Sequence, residues 1–203
     1  MNFFNNLFKK TQKKNKSKEK IEHQQSKFMP KAKTDIEERF IVNFIENGGK
    51  FLYSENYNEL NENLGLILKE NGWSNNDLLI TNNKIKSSFK LPNSISINQN
   101  NVNCFITDCE NLIADDGSIL ISSNQIEEKN LLDFPDSIII LSDTTKFKNN
   151  IGEGLREIKT KSKKIPSNIT TIKNFNLSEE KDFLSYGAIA KNLYLILLEK
   201  GIL

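Results

Sequence analysis

Two early segments of the chain carry apolar residues at helical spacing. In the first, from about residue 35 to 47, the apolar positions recur every three or four residues, at Ile36, Phe40, Ile41, Phe44 and Ile45. Thr34 followed by Glu37 has capping-box spacing, and Gly48-Gly49 predicts the end of the helix. Asn56 with Glu59 opens a second predicted helix, whose apolar stripe stops at Asn71-Gly72.

Short apolar or alternating runs, separated by Asn, Pro and Ser clusters, predict strands around these helices. The shorter runs are 51–53, 77–81, 94–97 and 102–107. The runs 119–121, 138–141 and 193–198 are continuously apolar, which is typical of central strands covered on both faces. A helix over about 150–163 and a strand within 166–172 complete the pattern, which predicts one α/β domain with a largely parallel sheet.

Charge divides the chain near Lys31. The first 31 residues hold nine lysines and two glutamates, a net charge of +7, which leaves residues 32–203 at −5. The stretch from Lys9 to Lys31 has almost nothing to bury, so we predict a basic disordered tail over 1–33 before a domain at 34–203. The acidic domain excludes nucleic acid as a partner on charge.

The N-terminal segment has a hydrophobic face of its own. Phe3, Phe4, Leu7 and Phe8 share one side of a short helix ahead of the lysines, which suits contact with an anionic membrane or a partner's groove. A frayed terminus is the plainer interpretation. The lysines follow the apolar residues, unlike those of a signal peptide, and the longest apolar run has six residues where a bilayer span needs about 20. We therefore expect a cytoplasmic protein.

The inventory of reactive side chains is small. The only histidine, His23, lies in the predicted tail, which removes imidazole chemistry and histidine-based metal sites from the domain. Two cysteines are too few for a structural zinc or an iron-sulfur cluster. We expect Cys104 to be a buried strand residue. For Cys109, which follows that strand, we favour a structural role, and the alternative is a more exposed thiol with a redox role. No metal and no cofactor is predicted.

Four carboxylates lie around one predicted strand-turn-strand: Asp108, Glu110, Asp115 and Asp116. Such groups can transfer protons or bind a hard cation. The plainer interpretation is a set of solvated loop charges, and no catalytic residue is assigned.

Residues 107–123, TDCENLIADDGSILISS, resemble the signature of the LUD-domain family, of which lactate utilisation protein C is a member. In that family a strand leads through a short helix ending in Ala into a Gly-containing turn and an apolar strand. The surrounding pieces also fall in the family's order: the opening helix, Asn71-Gly72-Trp73, Pro135 before 137–140, 166–170, and Gly187 before 193–198. The resemblance covers roughly residues 34–203.

The resemblance implies a three-layer α/β fold, with helices on both faces of a mostly parallel sheet, similar to the ribose-phosphate isomerase and CoA-transferase group. It also implies a role in L-lactate oxidation beside iron-sulfur partners, which hold the cluster ligands. Three positions depart from the family. Ser137 replaces a histidine, 187–191 replaces a Gly-Val-His-Gly-Pro loop, and 174–180 lacks the small residues of a Ser-Ala-Asp-Ile-Glu segment.

Two functional hypotheses remain open. The first is an accessory LUD-domain protein that binds an iron-sulfur or dehydrogenase partner and does no catalysis itself. The second is an enzyme or ligand-binding protein that takes a sugar phosphate, a CoA thioester or a folate beyond the carboxyl ends of the strands. Its predicted ligand-binding residues are Asp115, Asp116, Gly117, Ser118, Ser167 and Asn168. For these six residues, an ordinary turn and an ordinary loop are the alternative.

Overall fold

The computed structural model describes residues 35–88, 102–173 and 192–199. The predicted basic tail, His23, the predicted strand at 94–97 and the departures at 174–180 and 187–191 lie outside these residues. The described helices are α1 (Ile36–Glu46), α2 (Tyr57–Asn71), α3 (Asn83–Ser88), α4 (Ser123–Ile126) and α5 (Ile151–Lys161).

The largest sheet has five strands, all parallel. They are β1 (Lys50–Ser54), β2 (Leu78–Ile80), β3 (Cys104–Thr107), β6 (Ser137–Asp143) and β9 (Asn192–Leu198), in the order β1-β9-β6-β3-β2. The predicted fold class, a mostly parallel sheet with helices, is therefore confirmed. The continuously apolar runs become β6 and β9, which lie inside the sheet and are buried on both faces.

A second, four-stranded sheet lies against the first. Its strands are β4 (Asn111–Ile113), β5 (Ser118–Ile121), β7 (Phe147–Lys148) and β8 (Thr170–Ile172), in the order β7-β4-β5-β8. β5 is antiparallel to both of its neighbours. The run 119–121 is thus an inner strand as predicted, but in this smaller sheet. The resemblance implied a short helix before Ala114. This expectation is wrong, since residues 111–113 form β4.

Three apolar clusters join the layers. The largest lies between the two sheets, and α1 contributes Phe40 and Phe44 to it. The second lies between α2 and the outer face of the parallel sheet. The third joins Ile158 of α5 to the outer face of the smaller sheet. The core is therefore stacked in layers, with each sheet covered on both sides.

The helix ends follow the sequence signals, with one exception. The Asn56 side chain caps α2 by accepting a hydrogen bond from the Glu59 backbone N–H, and α2 ends at Gly72 in the left-handed conformation. α1 instead takes Asp35 as its N-cap residue, without a side-chain hydrogen bond. Thr34 lies outside the described residues.

Candidate functional site

Four of the predicted ligand-binding residues, Asp115 to Ser118, form the turn between β4 and β5. The Gly117 backbone N–H donates to the Ile113 carbonyl oxygen at 2.9 Å, and Gly117 has a φ of +69°. Asp116 Oδ1 accepts hydrogen bonds from the backbone N and the Oγ of Ser118, at 3.1 and 2.7 Å. The turn is thus closed by its own polar groups.

The same turn is fixed to α1. Asn43 Nδ2 donates to the carbonyl oxygen of Ala114 at 2.8 Å, and Asn47 Nδ2 donates to that of Asp116 at 2.7 Å. A Cβ added at Gly117 would lie 2.4 Å from the backbone nitrogen of Phe44. Gly117 is therefore needed both for its backbone conformation and for the close approach of the turn to the helix.

The two carboxylates of the turn face cations of the same chain. Arg39 Nη2 lies 3.8 Å from Asp115 Oδ1, and Lys173 Nζ lies 3.4 Å from Asp116 Oδ2. These side chains are partly exposed, so each ion pair contributes at most about 1 kcal/mol.

Ser167 and Asn168 belong to a different part of the smaller sheet. The backbone N–H of Ser167 donates to Ser123 Oγ at 3.1 Å, and Ser167 Oγ donates to Glu128 Oε1 at 2.8 Å. Asn168 Nδ2 donates to the Lys129 carbonyl oxygen at 2.7 Å. These contacts join the start of the β8 segment to the residues around α4.

The two predicted groups lie at opposite ends of β5. Ser118 begins β5, whereas Ser123, the partner of Ser167, follows its last residue, Ile121. Four strand residues extend about 13 Å. The structure therefore does not bring the six residues together around one small ligand, and ligand binding by either group stays a prediction.

Another polar group lies at the carboxyl edge of the parallel sheet, directly after β3. The Asp108 carboxylate accepts a hydrogen bond from Gln125 Nε2 at 3.4 Å and another from the Asn82 side chain. Burial raises the pKa of Asp108, against the opposing hydrogen bonds and the charge of Lys146. A carboxyl group in such surroundings, beyond the carboxyl end of a parallel strand, is a candidate for ligand binding.

Sequence reasoning named Asp108 only as one of four acids and missed its neighbours. Gln125 had a local signal, since Ser122 and Gln125 form the capping box of α4. Asn82 follows β2 directly, and adjacent parallel strands end at the same edge. For Lys146, which follows β6 by three residues, the sequence offered no signal beyond this proximity to a strand end.

The two cysteines are both buried. Cys104 is a core residue of β3, as predicted. Cys109 has the structural role that we favoured, and the alternative of a more exposed thiol is wrong, because the chain turns inward after β3 and the Cys109 thiol donates to Ser142 Oγ at 3.3 Å. Burial raises the pKa of both thiols, that of Cys109 to about 12. Neither is a thiolate nucleophile near neutral pH.

Other carboxylates at this edge are also held by the fold. Glu110 Oε1 accepts hydrogen bonds from Ser122 Oγ at 2.6 Å and from Asn124 Nδ2 at 2.7 Å. Asp143, buried at the end of β6, accepts from the backbone N–H of Thr145 at 2.8 Å and from its hydroxyl. Within the described ranges, no three His, Cys, Asp or Glu side chains are grouped so that they could hold a metal ion.

An open cleft of about 350 Å³ lies at the carboxyl ends of β1 and β9. It is lined by Glu55, Asn56, Tyr57, Leu198 and Glu199. Next to it, burial raises the pKa of Tyr53, and the Glu199 carboxylate adds to this through its charge and a shared hydrogen bond. Two of the five lining residues are glutamates, so the cleft favours cationic or uncharged groups over phosphates.

Ser137, which stands where the family often has a histidine, begins β6 at the amino edge of the parallel sheet. It is buried, and its Oγ accepts a hydrogen bond from Asn192 Nδ2 at 3.4 Å. This departure therefore lies at the opposite edge of the sheet from Asp108.

Comparison with known proteins agrees with this fold. A crystal structure of a DUF162 family protein from Deinococcus radiodurans has a TM-score of 0.59 and 16% sequence identity, over 83% of this chain and 99% of that chain. At that identity the likeness concerns the fold alone. None of the curated proteins matches the chain.

In the part of the chain that the structure describes, no helix has both the length and the apolar character needed to cross a membrane. The family model of the LUD domain matches residues 37–198, which contain both sheets and, except for Ile36, all five described helices. The chain belongs to the LUD domain family.

Proposed function

We propose that this LUD-domain protein is a cytoplasmic accessory subunit in the oxidation of lactate or a related organic acid. It acts by binding an iron-sulfur or dehydrogenase partner and is not itself the catalyst. The LUD domain supports the metabolic setting through the family's association with lactate utilisation.

The observation that carries the accessory role is how the reactive groups of the described domain are used. The Cys109 thiol is buried against Ser142, and Glu110 is held by two side chains. Asp115 and Asp116 face cations and fix the β4–β5 turn. Most of the groups that chemistry would require therefore serve to hold the fold together.

The test is affinity purification of the tagged full-length protein from its own host, grown on lactate. The proposal expects a stoichiometric partner, identified by mass spectrometry, with bound iron and acid-labile sulfide in the eluate. It also expects a deletion strain to grow poorly on lactate and normally on a sugar. Recovery of the protein with no iron-sulfur or dehydrogenase partner would contradict the proposal.

A matched variant separates the accessory role from catalysis. Asp108→Asn keeps the size of the carboxyl group and one acceptor oxygen but removes its proton transfer. An accessory protein with this substitution should restore lactate growth to the deletion strain as well as the wild type does. Failure of a folded, partner-bound Asp108→Asn protein to restore growth would favour a chemical role.

The second candidate function is small-ligand binding at the carboxyl edge, which the raised pKa of Asp108 favours. Thermal-shift measurements with sugar phosphates, CoA thioesters and folates test it, because a ligand that binds the native state raises the unfolding temperature. Ligand binding at this edge would be supported by a rise in the unfolding temperature that Asp108→Asn abolishes. Unchanged melting with all three ligand classes would leave the accessory role as the better account.

A further inference from the structure

The helix α5 and the residues that follow it carry more apolar surface than the fold uses. Ile158 is buried in the cluster with Ile113 and Leu120. Ile151 and Leu155 precede it on the same side of the helix, because steps of about 100° per residue place all three within about 60°. They are 47% and 41% exposed, and Ile165 beyond the helix is 54% exposed.

The same segment is basic in an acidic domain. Residues 151–165 contain five lysine or arginine side chains and two glutamates, a net charge of +3, whereas residues 32–203 carry −5. Arg156 and Lys159, which lie on one side of Leu155 on the helix, are exposed. We define the α5 face as Ile151, Leu155, Arg156 and Lys159.

The acidic residues of α5 are engaged mainly by groups outside this face, although the charge of Glu153 also attracts Arg156. Glu157 forms ion pairs with Lys148 and Lys161, at 3.0 and 2.5 Å between nitrogen and oxygen. The Glu153 carboxylate accepts hydrogen bonds from the backbone and side chain of Asn149 at the start of the helix. Both glutamates are thus engaged in holding α5 in place.

We propose that the α5 face is the docking surface for the partner, and that the partner presents an acidic surface around an apolar centre. This inference rests on the proposed function and names the site of contact. Half-exposed aliphatic side chains beside a charged rim match the anatomy of protein interfaces. Charge complementarity selects an acidic partner and speeds its association.

The same features favour a protein over a membrane surface. A membrane-bound helix buries its apolar face about 5–10 Å into the lipid boundary. In α5, the centre of that face, at Ile158 and Gly154, is already buried in the protein. The aliphatic side chains of the α5 face are only about half exposed, and the face has no aromatic side chain to insert into lipid.

The experiment uses the partner recovered with the wild-type protein, purified and fluorescently labelled. Its Kd is measured for the full chain at 50 and 300 mM salt, with the double variant Arg156→Glu/Lys159→Glu and with Leu155→Ser. Matched controls lie on α2, across the parallel sheet: Lys69→Glu for charge and Leu66→Ser for an apolar side chain that is 61% exposed.

We expect the double variant to weaken binding at least tenfold and Leu155→Ser at least fivefold, with both controls within twofold of the wild type. The wild-type affinity should fall as salt rises, and the double variant should lose most of this dependence. Urea midpoints equal to the wild type's show that every variant is folded.

The experiment distinguishes failure of the α5 inference from failure of the proposed function. If a partner is recovered but binds all variants equally, the α5 inference is wrong and the accessory role stands. If no partner is recovered, both are wrong. The variants are also tested on vesicles of phosphatidylglycerol and phosphatidylcholine, and binding there that Leu155→Ser abolishes would assign the face to membranes and overturn the inference.

Discussion

Replacing Gly117 by alanine tests the contact between the β4–β5 turn and α1. The new Cβ would lie 2.4 Å from the backbone nitrogen of Phe44, 2.5 Å from the carbonyl carbon of Asn43 and 2.9 Å from the Cβ of Asn43. Two of these atoms belong to the backbone of a helix that is packed into the main core. A rotamer change cannot relieve the overlap, so the turn must move away from α1.

The cost has two parts. A non-glycine residue in the left-handed conformation costs about 1 kcal/mol. Moving the turn away from α1 also breaks the hydrogen bonds from Asn43 to the carbonyl oxygens of Ala114 and Asp115, and from Asn47 to that of Asp116. At about 1 kcal/mol each, the three bonds bring the expected loss of unfolding free energy to about 3–4 kcal/mol.

Urea unfolding followed by circular dichroism measures this loss, with Gly72→Ala as the matched control. Gly72 has nearly the same φ, +68°, but a Cβ added there would meet nothing within 4 Å. The control should therefore lose only about 1 kcal/mol, the cost of the backbone conformation. Equal losses for the two variants would refute the packing argument, because the contact with α1 would then contribute nothing.

Three further predictions concern titratable groups. Burial opposes ionisation of Glu157, but hydrogen bonds from Lys161 and Lys148 hold its pKa at about 2. Glu157→Gln should therefore destabilise the protein at pH 7. The urea midpoints of the variant and the wild type should converge as the pH falls from 4.5 toward 2. Ellman's reagent should modify neither Cys104 nor Cys109 in the native protein and both after unfolding, and fast labelling of either would contradict their burial. Because burial raises the pKa of Asp108, Asp108→Asn should increase the free energy of unfolding at pH 7. This increase should disappear as the pH falls below the unfolded pKa near 3.8. An increase that is the same at pH 7 and below 3.8 would show that it does not come from the buried charge.

The parallel sheet was predictable because its signal is local. β6 and β9 contain the continuously apolar runs 138–141 and 193–198, and such runs are typical of strands covered on both faces. The capping of α2 by Asn56 and its end at Gly72 depend on residues within one turn of the helix ends. At these positions, residues that are close together in the sequence determine the local structure.

The second sheet escaped prediction because its strands are short and its pairing is long-range. β7 has two residues and β4 has three, too few to show a period. β4 pairs in parallel with β7, about 35 residues later in the chain. Only the folded structure brings these pieces side by side.

The candidate ligand-binding residues show the same limit. Asp, Gly and Ser are favoured both in tight turns and in loops that bind ligands, so the sequence at 115–118 is compatible with either. What distinguishes the two is the partner of each polar group, and here Asn43 and Asn47 lie some 70 residues away in sequence. The sequence did not distinguish Asp108 from the neighbouring acids, because the burial that raises its pKa comes from other elements of the fold.

Charge connects the docking proposal to the chain as a whole. The net charge of +2 combines a segment at +7 over residues 1–31 with a body at −5 over residues 32–203. Because residues 151–165 contribute +3 to that body, its remaining residues carry −8. On the docking proposal, an acidic partner is repelled by most of residues 32–203 and attracted both to the α5 face and to the basic segment at 1–31. The large apolar clusters hold the fold together, whereas our proposal assigns partner binding to the exposed apolar side chains of α5, which lie in a basic segment.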